Sequence, residues 1–374
     1  MDKVLIKDIA EVVNGSTPST KENSYWDGNI PWITPKDLSA FSGRYISSGE
    51  RNITKEGYLS CSTTLVPKNT ILLTSRAPIG YLAIAKNDLC TNQGFKSLIC
   101  NQSKVLPLYL FYWLSTKIEF LKSISGGATF KELSKTSLEN VVMDLPNIVQ
   151  QQHIVDTIGS VDDLMEKNTK IITKLSFLTE KTIELVPRKS TLKPLSYFCY
   201  SIICGTTPST KNSQFWMGNI PFITLEDISD LPFVTSSQRK ISEECFIKCN
   251  RQLHEGDIIT SCIGTVGKVA MVSCDCQTNQ QINAVNPIPK YRYYLYEVLK
   301  KKKAELLLLS KSGSATPNIN KNTFSNICFA IPNDCELDKI NSALSLIFKK
   351  ILVLQKENDT LRKQKNVLLA KYFG

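Results

Sequence analysis

Two short strings carry the side chains best suited to reading a polar ligand, and each occurs twice. T-S-R-A-P-I-G at 74–80 and T-N-Q-G at 91–94 are answered by T-S-C-I-G-T-V-G at 260–267 and T-N-Q-Q at 278–281. Carboxamides and guanidinium groups are strong, directional hydrogen-bonding groups suited to recognition. Groups that would make or break covalent bonds are scarce. The only G-x-x-G-K string, Gly264 to Lys268, is followed by Val269 and has two residues between its glycines. A phosphate loop needs four, with Ser or Thr after the Lys. No [DN]-P-P-[YF] string of an amino-methyltransferase is present, and the two histidines, His153 and His254, occupy unrelated positions. A histidine triad or zinc hydrolase is therefore unsupported. The twelve cysteines contain no C-x-x-C pair; Cys245/Cys249 and Cys274/Cys276 could supply four thiolates to a metal. Nine of the twelve lie in the second half, so free thiols in a reducing compartment are the favoured reading.

The elements that position these strings are themselves duplicated. GSTPSTKENSYWDGNIPWITPKD from Gly15 and GTTPSTKNSQFWMGNIPFITLED from Gly205 match at 14 of 23 positions with a constant offset of 190 and no gap. The match continues at lower identity. SGGATF (125–130) pairs with SGSATP (312–317), and MDLPN (143–147) with AIPN (330–333). Aligning the T-S dipeptides sets Cys262 opposite Arg76. Internal repetition on this scale dictates the domain plan. The order is globular unit, helix, globular unit, helix, with boundaries at 1–149, 150–187, 188–335 and 336–374. Within the globular units, short β-rich stretches (TILLTS, YLAIA, DIITS, KVAMV) are separated by Gly, Pro, Asn and Ser, the texture of a mostly β domain with long loops. PLYLFYWLSTKIEFL (107–121) and YRYYLYEVLKKKKAELL (291–307) read as helices, and Leu110, Leu114, Ile118 and Leu121 favour a core face over base stacking.

The helical segments follow a heptad. Seam positions fall at Leu337, Ile340, Leu344, Ile347, Ile351, Leu354, Asn358, Leu361, Lys365 and Leu368, and at Ile154, Thr157, Val161, Leu164, Asn168, Ile171, Leu175 and Leu178. Asn168 and Asn358 share one seam position; a seam Asn costs stability but can fix register. Each segment can run about 35 residues, roughly 50 Å. The helices could pair with each other or recruit helices of other subunits; in-phase duplicated seams favour pairing within the chain. The net charge of +11 is spread over both halves, which suits a polyanionic partner as well as plain solubility. The chain has no run of about 18 apolar residues and no secretory leader at MDKVLIKDIA, so no membrane role and a cytoplasmic location are expected.

The doubled G-[ST]-T-P-S-T-K…W-x-G-N-I-P-[WF]-I-T-x-x-D block, the T-S-R-A-P-I-G and T-N-Q-G-F strings, and L-P-x-x-x-Q-Q-Q-H-I leading into a long helix resemble the DNA-specificity subunit of type I restriction–modification systems. The resemblance covers essentially the whole chain. It implies an α+β fold in which two mostly β target-recognition domains alternate with two long helices paired as an antiparallel coiled coil, an internal pseudo-two-fold repeat. It further implies a non-enzymatic chain that binds a bipartite duplex DNA target, one half-site per domain. Partners would be modification subunits, two of them, bringing S-adenosylmethionine, and restriction subunits that use ATP and magnesium. The chain itself would hold no cofactor or metal. On this resemblance the candidate DNA-binding residues are Ser75, Arg76, Asn92, Gln93, Thr129 and Phe130, with Ser261, Cys262, Asn279, Gln280, Thr316 and Asn318 in the second half. For each, a turn-stabilising role is the alternative, and it is favoured for Asn92 and Asn279. The GxTPST loops with Trp26 and Trp216 read as structural. Gln150-Gln151, Glu336-Leu337, Cys262 and Gln281-Ile282 depart from the family pattern and imply that the two domains read different half-sites. A methylase-targeting protein without a restriction partner and a protein- or glycan-binding scaffold are the other classes open to the sequence.

Overall fold

The computed structural model describes residues 2–39, 41–76, 78–127, 131–311 and 317–374. They form two compact units, residues 1–166 with 363–374, and residues 167–362. The division falls inside both long helices, Ile148–Glu184 and Asp334–Phe373.

In the first unit a five-stranded sheet has the order Ala10–Asn14, Phe95–Cys100, Ile71–Thr74, Leu82–Ala85, Tyr45–Ile46. Its strands are antiparallel except for the last pair. A three-stranded sheet follows the order Arg51–Ile53, Trp26–Ile33, Cys90–Thr91. The central strand Ile71–Thr74 is buried along its whole length because both of its faces are covered. Successive side chains point to opposite faces. Ile71 and Leu73 accordingly enter a core with Tyr109, Leu110, Tyr112 and Leu114, whereas Leu72 enters another with Ile33, Leu89 and Phe95. The aromatic stretch folds as helices Pro107–Thr116 and Ile118–Ser123 and serves as core, with Leu110, Tyr112, Leu114 and Leu121 fully buried. Strands Asp2–Leu5 and Val142–Leu145 pair and tie the two ends of this domain together just before the long helix.

The second unit repeats the plan. Its five-stranded sheet has the order Cys199–Cys204, Ile282–Pro287, Ile258–Ser261, Val269–Val272, Phe233–Val234, and its three-stranded sheet Arg239–Ile241, Ile220–Ile223, Gln277–Thr278. Strands Arg188–Pro194 and Cys328–Pro332 close this domain in turn. Ile258 and Ile259 again face separate cores.

The long helices run antiparallel. In the first unit His153 meets Tyr372 and Asp162 meets Lys365, so one number falls as the other rises. In the second unit Asn168 Nδ2 donates to Asn358 Oδ1 at 3.0 Å and to Glu357 at 2.9 Å, and Asn358 Nδ2 donates to Thr169 Oγ1. Equivalent residues of the two repeats thus meet each other. On the second helix Leu344, Ile351, Leu354, Asn358 and Leu361 are buried and Ile347 half-buried. On the first, Asn168 is buried and Ile154, Val161, Ile171 and Leu175 half-buried, whereas Leu164 is 38% exposed. A repeat of 3.5 drifts around a helix of 3.6 by about 20° per heptad, and this helix also serves its globular domains. Its most buried positions include Gln151, Ile158, Asp162, Ile172, Thr179 and Ile183. Gln151 accepts from the Leu106 amide and donates to the carbonyls of Lys104 and Pro146. The Tyr112 hydroxyl donates to Asp162 at 2.7 Å, and Arg44 pairs with Asp163 and Glu166. In the second unit Gln355 brackets Phe233, accepting from its amide and donating to its carbonyl.

Candidate nucleic-acid interface

In each half the GxTPST loop is laid against the TNQ loop, backbone to backbone. Ser16 N donates to Thr91 O at 3.0 Å and Thr206 N to Thr278 O at 2.9 Å. A Cβ on Gly15 would stand 2.2 Å from Asn92 O, and one on Gly205 2.1 Å from Asn279 O, so no other residue fits at either crossing. The loop is held from its other side by indoles. Trp26 Nε1 donates to Ser19 O at 3.1 Å, and Trp216 Nε1 to Ser209 O at 3.2 Å. Trp32 adds a bond to Ser16 O at 3.0 Å that Phe222, its counterpart, cannot make.

This packing separates the candidate readers into interior and surface. Ser75, Ser261 and Cys262 are buried within the turns. Ser75 donates through both N and Oγ to Gly94 O. Ser261 Oγ accepts from Lys268 N at 2.8 Å. Burial pushes the Cys262 thiol up to about 12. Asn92 Oδ1 accepts from Gly94 N at 2.9 Å and Asn279 Oδ1 from Gln281 N at 3.1 Å, each closing its own turn. Gln93 and Gln280 are exposed, and each accepts at Oε1 from a threonine hydroxyl, Thr17 and Thr207 respectively. Arg76 is partly exposed and lies 3.8 Å from Glu132, which also pairs with the buried Lys96. Asn318 is exposed and bridges to Ile263. Thr129, Phe130 and Thr316 lie outside the described residues.

Strand pairing corrects one correspondence between the halves. Ile71 and Ile258 occupy the same place, opposite Ile84 and Leu98 in one sheet and Met271 and Val285 in the other. Counting on, Ser75 corresponds to Cys262 and Arg76 to Ile263, one residue away from the pairing given by the T-S dipeptides. The backbone agrees: Ser75 N donates to Gly94 O and Cys262 N to Gln281 O, while their carbonyls accept from Leu133 and Ile319. Cys262 is thus the buried counterpart of Ser75, and the exposed guanidinium of Arg76 has an aliphatic counterpart.

Two residues that the motif reading passed over belong to this surface. Arg51 stacks 3.5 Å above the Trp26 ring, and Arg239 3.9 Å above Trp216. Both arginines are exposed, and among the described residues neither pairs with a carboxylate. A guanidinium held over an indole face is restrained by the ring and not by hydrogen bonds, which leaves its N–H groups available to an anion. The duplicated spacing is the signal that could have found them, since Arg51 and Arg239 are 188 apart, just beyond the gapless block.

The twelve thiols are unpaired, and among the described residues no group of three or more His, Cys, Asp and Glu could hold a metal ion. His254 pairs with Asp275 at the surface, and Lys268 Nζ turns inward to Ile228 O at 2.8 Å. Among the described residues no helix is long and apolar enough to cross a membrane.

The family model described as "type I restriction modification DNA specificity domain" matches residues 1–176 and again 190–363. The chain is 36% identical to the type I restriction enzyme MjaIX specificity subunit of Methanocaldococcus jannaschii, over 98% of this chain and 91% of that protein. It is 26% identical to the HindI specificity subunit of Haemophilus influenzae, over 82% and 86%. In fold it is similar to the crystal structure of the type I restriction–modification S subunit from M. genitalium, with a TM-score of 0.63 at 14% identity, covering 100% and 96% of the two chains. With the duplicated loops and paired helices in place, these matches establish that the chain belongs to the type I restriction–modification DNA specificity family.

Proposed function

We propose that this chain is the non-catalytic sequence-reading subunit of a type I restriction–modification complex. Each globular domain reads one half of a bipartite duplex target through the edge formed by its GxTPST and TNQ loops. Modification subunits, two per complex, supply S-adenosylmethionine, and restriction subunits supply ATP- and magnesium-dependent work. The observation that carries this reading is the same pair of groups in both halves, tied to one GxTPST loop: an exposed carboxamide (Gln93, Gln280) bonded to its threonine, and a guanidinium with no carboxylate partner among the described residues (Arg51, Arg239) stacked on the indole that holds it. The first type of group can distinguish base edges and the second can hold phosphate. Arg76 and Asn318 flank that edge, one in each half. The buried Ser75, Ser261 and Cys262 and the turn-closing Asn92 and Asn279 support it from beneath.

The test is methyl transfer to duplex DNA. The purified chain alone should transfer no labelled methyl groups, and transfer should begin when a modification subunit is added. Robust transfer by the chain alone would overturn the assignment. Binding of duplex DNA by the assembled complex should weaken steeply with added salt, as phosphate contacts demand.

A further inference from the structure

A free glutamine side chain recognises adenine with both ends of its carboxamide, accepting from N6 at Oε1 and donating to N7 from Nε2. Neither Gln93 nor Gln280 is free in this sense. The Thr17 hydroxyl donates to Gln93 Oε1, and the Thr207 hydroxyl donates to Gln280 Oε1 at 2.6 Å. Both glutamines are exposed, and among the described residues nothing accepts from either Nε2. The arrangement persists although the surroundings differ: Gly94 and Arg76 on one side correspond to Gln281 and Ile263 on the other. The loop that carries each threonine is held by the glycine crossing on one side of it and the indole bond on the other.

We propose that Thr17 and Thr207 are specificity-determining positioning residues that occupy the glutamine oxygen and present its amide outward as a donor. Each half then reads, at one base pair, an edge rich in acceptors. Guanine, which presents two acceptors, N7 and O6, side by side in the major groove, suits such a donor. Adenine is disfavoured, because its N6 amino group is itself a donor and would face the outward amide while competing with the threonine hydroxyl for the glutamine oxygen. This inference rests on the DNA-reading function proposed above.

The experiment uses the full-length chain assembled with its modification subunit, acting on a duplex library with randomised half-sites, the methylated products being sequenced. Wild-type protein should select guanine at one position in each half-site. Thr17→Val removes the hydroxyl at nearly constant shape and frees the carboxamide. Its guanine-over-adenine preference at one position of one half-site should fall by at least about fivefold, the lower end of what one bidentate contact supplies. Thr17→Ser keeps the donor and should keep the preference; Thr207→Val should relax only the other half-site. Two results overturn the proposal while leaving DNA reading intact. Thr17→Val could select the same bases as wild type while Gln93→Ala does not, or the base lost with Gln93→Ala could be adenine in the wild-type motif. A wild-type complex that selects no sequence would overturn DNA reading itself, and this inference with it.

Discussion

A guanidinium stacked on an indole is a side chain whose freedom is restricted before any partner arrives. Arg51 over Trp26 and Arg239 over Trp216 share this state, and Trp26 and Trp216 in turn hold the loops that carry the candidate readers. On the proposed reading they hold phosphate and carry no sequence information. Arg51→Gln should therefore weaken duplex binding by a similar factor for every sequence, flatten the dependence of log affinity on log salt by about 0.9 for the one lost contact, and leave the selected bases unchanged. Binding curves at several salt concentrations check this; a changed motif would make Arg51 a reader.

At the scale of elements, the long helices carry polar groups where an apolar seam would be more stable. Asn168 and Asn358 are buried and bonded to each other, so replacing one leaves the other short of a partner it now has. Asn168→Leu alone should lower the melting temperature, and Asn168→Leu with Asn358→Leu should melt above the single variant, because a seam Asn trades stability for register. A double variant that melts below the single one would assign the pair to stability. Glu297, on helix Arg292–Lys301, is buried; its carboxylate accepts from Thr179 on the long helix at 2.9 Å and lies 3.4 Å from Lys300. Burial raises its carboxyl above the ordinary range, and the attraction of Lys300 and the Thr179 hydrogen bond only partly oppose it. The folded state therefore holds this proton more tightly than the unfolded chain. The stability it contributes is full below the unfolded carboxylate's titration and is lost as pH rises through the folded one. Glu297→Gln, which mimics the protonated form, should melt above wild type at pH about 8, with the gap closing toward pH about 4. Thermal melts across that range decide it, and a gap independent of pH would show that the carboxyl's charge is immaterial.

For the molecule as a whole, the proposed reading of one half-site per domain leads to the expectation that helix length sets the separation of the half-sites. One heptad inserted after Ile171 and another after Leu354 face each other on one side of the Asn168–Asn358 contact and preserve both seams. Each adds about 10 Å of helix. Duplex DNA advances about 34 Å in 10 base pairs, so the selected spacer should lengthen by roughly one to three base pairs while the half-site bases stay the same. Sequencing of methylated DNA reads both quantities. A stable, active insertion variant with an unchanged spacer would make the helices docking surfaces instead of a ruler.

The internal repeat, the two long helices and the family were legible in the amino-acid order because each is a local or periodic property: an offset of 190, a three-and-four alternation, a string of identical residues. The same local legibility located the TNQ strings. What lay beyond it was decided where distant segments meet. Burial of Ser75 and Cys262 follows from the pairing of their strands with Phe95–Cys100 and Ile282–Pro287, and strand register, not the repeated dipeptide, sets which residues correspond. Leu164 keeps the heptad spacing yet is exposed, because the first helix divides its buried surface between its partner helix and the globular domains. Thr17 lay in a loop that read as structural, and nothing in the motifs singled out Arg51, until the fold set one against Gln93 and the other on Trp26. Hydrogen bonds and stacking between residues tens of positions apart depend on three-dimensional closure, which no periodicity in a single chain encodes.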